Sequence, residues 1–445
     1  MLGRKKMREI AGRVLSLSAA QQTEVIIMSE DSGLTRFANS YIHQNVAERN
    51  VGLRVRTVEG KKIGVASIND LSPEALERVV ERALTIARLQ PENPDFTSLP
   101  SPAPIAEVAA FDEATATFGP EDRAKAVGVI CQLAVENGLV ASGAFTTGAG
   151  ELAVANSLGI FAHYSTTSAD INTVIMSDDS SGYSAATAWK VGEINPEAIG
   201  SEAVEKALQS RNPRGLPPGR YAVILEEYAV ADMMSMLAYL GFGALSVQEG
   251  RSFMTDRFGQ QIMNPAISIW DDGLDPTGLP MPFDFEGVPR QRVDLIKEGV
   301  AEAVVYDSYT AGKEGKASTG HGLPAPNTFG PIPTHMFMAP GEASKEEMLA
   351  SMERGLWVTR FHYTRPVHPK LAIITGMTRD GTFLIEKGEM AYPIKNLRFT
   401  QSYIEALANV ERVCRETKLV QDWFGATRIP ALKVAEFEFT GATEF

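Results

Sequence analysis

Two proline-rich breaks divide the chain. PENPDFTSLPSPAP, from Pro91 to Pro104, holds five prolines, and RNPRGLPPGR, from Arg211 to Arg220, holds three prolines and two glycines. Proline fixes φ and lacks an amide donor, so neither stretch can continue a helix or a paired strand. Both read as extended, semi-rigid connections. The fold must be assembled from three units, at 1–98, 106–212 and 219–445, and 445 residues are enough for each to bury a core of its own.

Composition narrows the function classes. With 44% hydrophobic and 22% charged residues the chain is ordinary globular material rather than a disordered one. The balance of 42 basic against 55 acidic side chains, −13 overall, repels a phosphate backbone. The longest basic cluster, Arg4-Lys5-Lys6 with Arg8, reads as a solvated helix face, so no nucleic-acid partner is expected. Cys131 and Cys414 lie too far apart for a metal knuckle or a disulfide framework, which points to a reducing, cytoplasmic setting. The basic N-terminus runs into Glu9 and Arg13 and forms no signal-peptide core. No run approaches the roughly 18 apolar residues of a membrane helix, so no membrane partner is expected either.

The patterning predicts an α+β protein: an N-terminal α/β unit, a helix-flanked β-rich central domain and a large β-rich C-terminal domain. Residues 2–17 have helical spacing, TEVIIMS reads as a buried strand ended by a turn at EDSG, and VGLRVRTVEGKKIGVAS is a hairpin around Glu59-Gly60. Ser72-Pro73 opens a helix whose apolar stripe is Leu76, Val79, Val80, Ala83, Leu84 and Ala87. In the central unit, helices near 120–137 and 196–209 flank a β-rich stretch from Ala141 to Trp189. In the third, YAVIL delivers the chain onto a helix at Glu226-Glu227, turns are expected at Glu298-Gly299 and Asp380-Gly381, and Ser344 with Glu347 forms a capping box. There is no short-period repeat.

Several motifs fail on inspection. AGKEGKASTG lacks the Walker glycine and hydroxyl, Thr310 and Ala317 standing in their places. DDGLD, Asp271 to Asp275, puts glycine and leucine where an EF-hand needs ligands and reads as a solvated turn. No G-x-S-x-G elbow occurs. Ser252, Ser318 and Thr319 are conceivable nucleophiles but need a base that sequence cannot place, and structural hydroxyls are the plainer reading. His362 and His368 flank YTRPV, where a proline turn could aim two imidazoles at one metal.

Four stretches in order carry a family resemblance: NVGLRVRTVEGKKIGVAS with the Ser72 helix; EGRSFMTDRFGQQI; FDFEGVPRQRVDLIKEGV followed by DSYTAGKEGKASTG; and TGMTRDGTFLIEKGEMAYPIKNLRFTQS. Together they resemble the TldD/PmbA family, known as modulators of DNA gyrase and regarded as metallopeptidases, over nearly the whole chain. The resemblance implies that a TldD-type subunit carries H-E-x-x-x-H at the start of the helix after the strand matching AVIL. Two histidines would hold zinc there and the glutamate would act as general base.

Laid onto that motif, Glu227 matches the glutamate, but Glu226 and Ala231 stand where the histidines belong. Between Tyr164 and Gly320 there is no histidine or cysteine, so no shift of register restores them. The cysteine ligand that the family would supply near its C-terminal end is also missing from ETKLVQDWFGATRIPALKVAEFEF; Cys414 reads as a buried thiol in a helix. The departures point to the PmbA/TldE-like branch, with no cofactor in this chain and zinc in a TldD-like partner. Such a chain is expected to form a heterodimer, or pair with itself, around a chamber for unfolded peptides. Glu226 and Glu227 then mark a vacated site, stabilised by the helix dipole.

The resemblance places Arg251, Ser252, Phe253, Tyr309, Lys313, Ser318 and Thr319 near the chamber. The alternative is a self-sufficient peptidase using His321, His335, His362 or His368 with Glu227 or Asp307, in which His321, His362 and His368 are the candidate metal ligands.

Overall fold

The computed structural model describes residues 1–443. The first unit runs α1 (Arg4–Leu17), β1 (Gln22–Ala38), β2 (Tyr41–Glu59), β3 (Lys62–Ile68) and α2 (Pro73–Leu89). The hairpin at Gly60 and the α2 stripe form as the sequence implies, since the six stripe residues are buried. Ser72 stands at the N-cap position, but its hydroxyl donates to Asp70 rather than capping the helix. EDSG is no turn: β1 continues through it for 17 residues because both neighbouring strands pair with it there.

The central unit repeats that order. After the one-turn α3 (Glu113–Ala116) come α4 (Pro120–Glu136), β4 (Val140–Asn156), β5 (Phe161–Met176), β6 (Ser181–Ala188) and α5 (Pro196–Gln209). The six strands form one sheet in the order β3-β2-β1-β4-β5-β6, joined at its middle by antiparallel β1 and β4. The sheet is thus symmetric about the β1–β4 seam, each half being α-β-β-β-α.

Alternation along the strands puts Val25, Ile27, Phe37, Ala141, Phe145, Ala153 and Ala155 on one face, under α1 and α2 in one half and α4 and α5 in the other. In each half a glycine lets the last helix touch the outer strand. A Cβ on Gly64 would meet the Ala83 carbonyl and the Ala87 amide of α2, and one on Gly182 would meet Ala203 and Ala207 of α5 in the same way. The proline-rich stretch from Pro91 to Pro104 has no regular structure, yet the sheet runs continuously across the two units that it links.

The third unit comprises β7 (Gly219–Leu225), α6 (Glu227–Leu240), α7 (Ala244–Gln248), β8 (Ile269–Asp271), β9 (Val293–Lys297), β10 (Val300–Ala301), α8 (Ser308–Glu314), β11 (His335–Met338), α9 (Lys345–Ala350), β12 (Arg354–His368), β13 (Ile373–Glu386), β14 (Glu389–Pro393), β15 (Leu397–Ser402), α10 (Tyr403–Ala408), β16 (Val410–Gln421) and β17 (Ala426–Ala442). Strands β7-β12-β13-β15-β17 close on themselves, because β17 pairs with both β15 and β7. The rings of Phe361, Phe399 and Phe437 pack together in the core of this unit at centroid separations of 4.6 to 5.6 Å. The sequence AVIL reads as uniformly apolar because β7 is buried on both sides: Val223 and Leu225 join the main core, while Ile224 joins a second cluster with Trp357, Phe383 and Cys414.

Four local expectations are corrected. Asp380-Gly381 is not a turn; with φ of 55° and 118° it makes an irregularity inside β13, where Asp380 reaches Arg360. Cys414 lies on strand β16, not on a helix. His362 and His368 stand on one strand, β12, which continues through Pro366, rather than on either side of a turn. Asp271 of DDGLD is fully buried on β8 rather than solvated.

The other face of the six-stranded sheet packs on the third unit, with Ile26, Leu152 and Val154 against Met281 and Phe283. A buried ion cluster crosses the same seam: Arg56 bridges Glu24, at 2.5 Å, and Glu286, at 3.4 Å.

Candidate functional site

Strand β7 ends and α6 begins at Glu226-Glu227 because the Glu226 amide makes a last sheet bond to the Val358 carbonyl while its own carbonyl accepts from Ala229 and Val230. Both side chains then point into protein: Glu226 is 2% exposed and Glu227 1%. Desolvated carboxylates need partners, and the fold supplies them from far along the chain. Glu226 accepts from Lys206 Nζ of α5 at 2.6 Å and from the Trp357 indole of β12 at 2.5 Å. Glu227 accepts from Lys345 Nζ, at the start of α9, at 2.8 Å. It is these two ammonium groups, rather than the helix dipole alone, that hold the pair of carboxylates.

A third pair completes the network. Glu202, one turn before Lys206 on α5, accepts from Lys206 at 2.8 Å and from Lys418 of β16 at 2.9 Å. Burial opposes its ionisation, but the two lysines overcome that and hold it down at about 2. Burial likewise opposes charging Lys206, and Glu226 and Glu202 raise it above the usual lysine range. Three carboxylates face three ammonium groups, a neutral set. Tyr228, next along α6, receives Lys418 Nζ at 3.1 Å and exchanges hydrogen bonds with the Ala185 backbone, tying α6 to the outer strand of the six-stranded sheet.

This arrangement does not fit a zinc ion. Zinc takes imidazole, thiolate or carboxylate donors, whereas here lysines bond both carboxylates and Ala231 has no donor atom. Cys414 approaches the same region, but burial and the Glu416 carboxylate that accepts its S–H push its thiol up to about 11, with the charge of Glu227 acting in the same direction. Among the described residues, no group of three or more His, Cys, Asp and Glu side chains is placed to hold a metal ion.

Two of the four candidate histidines, His321 and His335, meet at Asp271, while His362 and His368 stand on β12. His321 is fully buried; its Nε2 meets Asp271 Oδ1 at 2.8 Å and its Nδ1 meets the Thr319 hydroxyl at 2.9 Å. His335 donates its backbone N–H to the other Asp271 oxygen, and burial followed by the charge of Arg290 holds its ring down at about 3. His362 is half-buried and His368 exposed, its Nδ1 accepting from Leu371 N. Asp307 caps α8 through Thr310.

The residues assigned to a chamber by resemblance fall in two places. Ser252 and Phe253 are buried, the Ser252 hydroxyl donating to the Gly241 carbonyl at 2.8 Å, and Arg251 pairs with Glu249 at the surface. Tyr309 and Lys313, on α8, reach Asp95 of the proline-rich segment, while Ser318 and Thr319 bond the Tyr306 carbonyl.

Beside the junction lies a cavity of about 430 Å³ between α6, β12 and the β16–β17 turn, with Ala231 and Asp232 on its wall. Asp232 accepts from Thr364 Oγ1 at 2.7 Å and from the Tyr403 hydroxyl at 3.0 Å, and burial pushes it up to about 6. Sequence reasoning passed over it and over Lys206, Lys345, Lys418 and Trp357. A lone carboxylate inside AVADMMSMLAYL was a usable signal for Asp232, and the i,i+4 spacing of Glu202 and Lys206 was a weak one for that pair.

Comparison with known proteins follows the same outline. Models of PmbA/TldA metallopeptidase domains match in succession: domain 1 over residues 23–87, the central domain over 98–211 and the C-terminal domain over 218–441. The chain is 26% identical to Metalloprotease PmbA of Escherichia coli O157:H7 over 449 residues, covering 97% of this chain and 96% of that protein. It is similar in structure to TldE from Thermococcus kodakarensis, with a TM-score of 0.90 at 20% identity over 98% of this chain and 100% of that one. A Thermotoga maritima MSB8 protein described as a candidate modulator of a DNA gyrase gives a TM-score of 0.88 at 21% identity, again over 98% of this chain and 100% of the other. At these identities the structural likeness speaks to the fold.

Proposed function

The chain belongs to the PmbA/TldD family of metallopeptidases, and we propose that within it this protein is a PmbA/TldE-type subunit. It acts in the proteolysis of unfolded or small peptides by pairing with a TldD-type chain that carries the zinc, and it has no zinc centre itself. One observation carries this reading: Lys206 and Lys345 neutralise the two carboxylates at the strand-to-helix junction where the family motif would put its ligands and general base. A lysine bonded to the would-be base competes with a metal-bound water for the same lone pairs, so this position favours a structural role. The test is the zinc content and peptidase activity of the purified chain on an unfolded peptide, alone and mixed with the TldD-type protein of its own genome. A metal-free, inactive chain that enters an active complex is expected. Stoichiometric zinc with chelator-sensitive cleavage by this chain alone overturns the reading.

A second reading has one observation in its favour. Thr319, His321 and Asp271 form a hydroxyl–imidazole–carboxylate chain, the arrangement that activates a nucleophile in other hydrolases. Against it, the Tyr306 amide donates to the Thr319 oxygen at 2.7 Å, which fits a structural hydroxyl better. Peptide cleavage by the chain alone that disappears in Thr319→Ala would revive it.

A further inference from the structure

We infer that the recess on the open face of the six-stranded sheet, at the β1–β4 seam beside Phe285, receives an aromatic side chain of an extended peptide. The word peptide rests on the peptidase-family reading; the geometry of the recess carries the rest.

The alternation that puts Val25 and Ile27 under the helices puts Met28 and Leu152 on the opposite face, where the sheet meets the third unit. Past that contact the face opens into a cavity of about 270 Å³, whose apolar end is formed by Met28, Leu152, Tyr164 and Phe285. All four belong to, or pack on, the cluster that joins the sheet to the third unit. The recess therefore continues an apolar interface that the chain already builds. Tyr164 is held edge-on against Phe283, with ring centroids 5.3 Å apart.

Two further observations point to an occupant. The first is Gly150. Gly148 and Gly150 of β4 lie on the open face, between Ser32 and Glu30 of β1 and Ser168 and Thr166 of β5. Glycine weakens a strand interior and often marks a close approach by a ligand or another backbone. Gly64 and Gly182 are demanded by the helices packed on them, but a Cβ on Gly150 would meet only the Thr166 methyl at 3.5 Å and the Ser29 carbonyl at 3.9 Å, both ordinary contacts. Its φ is not left-handed either. What glycine does there is leave the space open.

The second is the Tyr164 hydroxyl. An enclosed tyrosine ordinarily finds a hydrogen-bond partner, yet among the described residues this hydroxyl has none. Burial pushes the phenol up to about 12 against the opposing charge of Arg290, so it is a neutral donor at pH 7. The hydroxyls of Ser32, Thr146 and Ser168, elsewhere on the wall, are likewise unpaired. An apolar end with unpaired hydroxyls around it suits an aromatic ring carried on a peptide main chain, whose carbonyl and amide groups use the hydroxyls.

Size and charge select among occupants. A dry cavity of about 150 Å³ holds a benzene ring, so about 270 Å³ takes a phenylalanine ring with neighbouring main-chain atoms. No Lys, Arg or His lines the recess, so an anion finds no counter-charge. Of its two carboxylates, Glu30 is exposed to solvent and Glu151 accepts from the Leu2 and Gly3 amides. A cation finds one solvated charge there, and a metal ion finds no ligand set.

Calorimetric titration of the full-length chain at pH 7.5 tests this with three capped pentapeptides that differ only at the central residue: phenylalanine, alanine or glutamate. The phenylalanine peptide is expected to bind at least about tenfold more tightly than the alanine peptide, and the glutamate peptide no better than the alanine one. Gly150→Val fills the recess from its floor and should bring the phenylalanine peptide to the alanine level. Its melting temperature should hold or rise, because a β-branched residue suits a strand better than glycine. Tyr164→Phe keeps the ring, removes the hydroxyl and should weaken the phenylalanine peptide about threefold to tenfold.

Equal affinity for the phenylalanine and alanine peptides, no binding of either at millimolar concentration, or an unchanged affinity in Gly150→Val or in Tyr164→Phe each overturns the proposal. If Gly150→Val does not fold, Gly150→Ala, whose added methyl makes only ordinary contacts, takes its place, and the peptide comparison on the unaltered chain still decides. None of these measurements needs a second protein or a cleavage event. A chain that selects phenylalanine peptides yet joins no TldD-type partner refutes the subunit reading alone. One that joins an active complex yet binds phenylalanine and alanine peptides alike refutes the recess alone.

Discussion

Lys206 Nζ, from the last helix of the central unit, lies 2.6 Å from the Glu226 carboxylate at the head of α6 in the third unit. The charge that would otherwise be buried alone at the junction is neutralised across a boundary between two parts of the chain. Removing the lysine leaves an uncompensated carboxylate in the interior, so Lys206→Met should cost about 3–5 kcal/mol of stability. The double variant Lys206→Met with Glu226→Gln should recover more than half of that loss. Urea denaturation midpoints of the two variants measure it; a double variant as unstable as the single one would show that the loss comes from packing rather than charge.

Metal removal should change nothing in this chain. Exhaustive dialysis against a chelator is expected to leave its thermal midpoint where it was, and added zinc should not raise it, because a ligand stabilises only the state that binds it. A zinc-dependent rise of several degrees in scanning calorimetry would contradict the lysine-held junction.

Two carboxylates should pull the pH dependence of stability in opposite directions. Glu202, held at about 2 against an ordinary 4.5, binds fewer protons folded than unfolded, so its contribution is present above about 4.5 and is lost as the pH falls towards 2. Asp232, raised from 3.8 to about 6, binds more protons folded, so its effect is a decline in stability as the pH rises through that interval. Glu202→Gln should flatten the acid limb of the stability profile, and Asp232→Asn should remove the decline between about pH 4 and 6. Denaturation midpoints collected from pH 2 to 8 would reveal either sign to be wrong.

The matched glycines under α2 and α5 give a packing test. Gly64→Ala and Gly182→Ala force a methyl into helix backbone, and each should cost at least about 2–3 kcal/mol by overpacking. Gly12→Ala, inside α1 with nothing within 4 Å of the new methyl, should instead stabilise by about 0.5–1 kcal/mol. Thermal melts of the three variants separate the two mechanisms.

What could be read in the sequence was local. The α2 stripe, the hairpin at Gly60, the capping box at Ser344 and the bounds of α5 follow from periodicity and cap chemistry, which act within a few residues. EDSG and Asp380-Gly381 misled for the opposite reason: pairing with neighbours on both sides carries β1 through turn-forming residues, and the β12–β13 ladder absorbs a left-handed pair as an irregularity. Cys414 was misplaced because a strand buried on one face and an apolar helix segment look alike over a few residues. At the site, Glu226, Glu227 and Ala231 were found through the family motif. Lys206, Lys345 and Trp357 come from 20, 118 and 131 residues away, and nothing local marks them.

The seam between β1 and β4 holds fourteen consecutive residue pairs in unbroken register. A ladder of that length works as a girder: the stretch from Pro91 to Pro104 beside it can neither swing nor slide the two halves it connects, whatever its own stiffness. Any rearrangement on meeting a partner or a peptide must take place where the girder rests on the third unit. The bearings there include the apolar packing of Ile26, Leu152 and Val154 on Met281 and Phe283, and the polar contacts of Arg56 with Glu286, Tyr228 with the backbone of Ala185, Lys206 with Glu226 and Lys418 with Glu202.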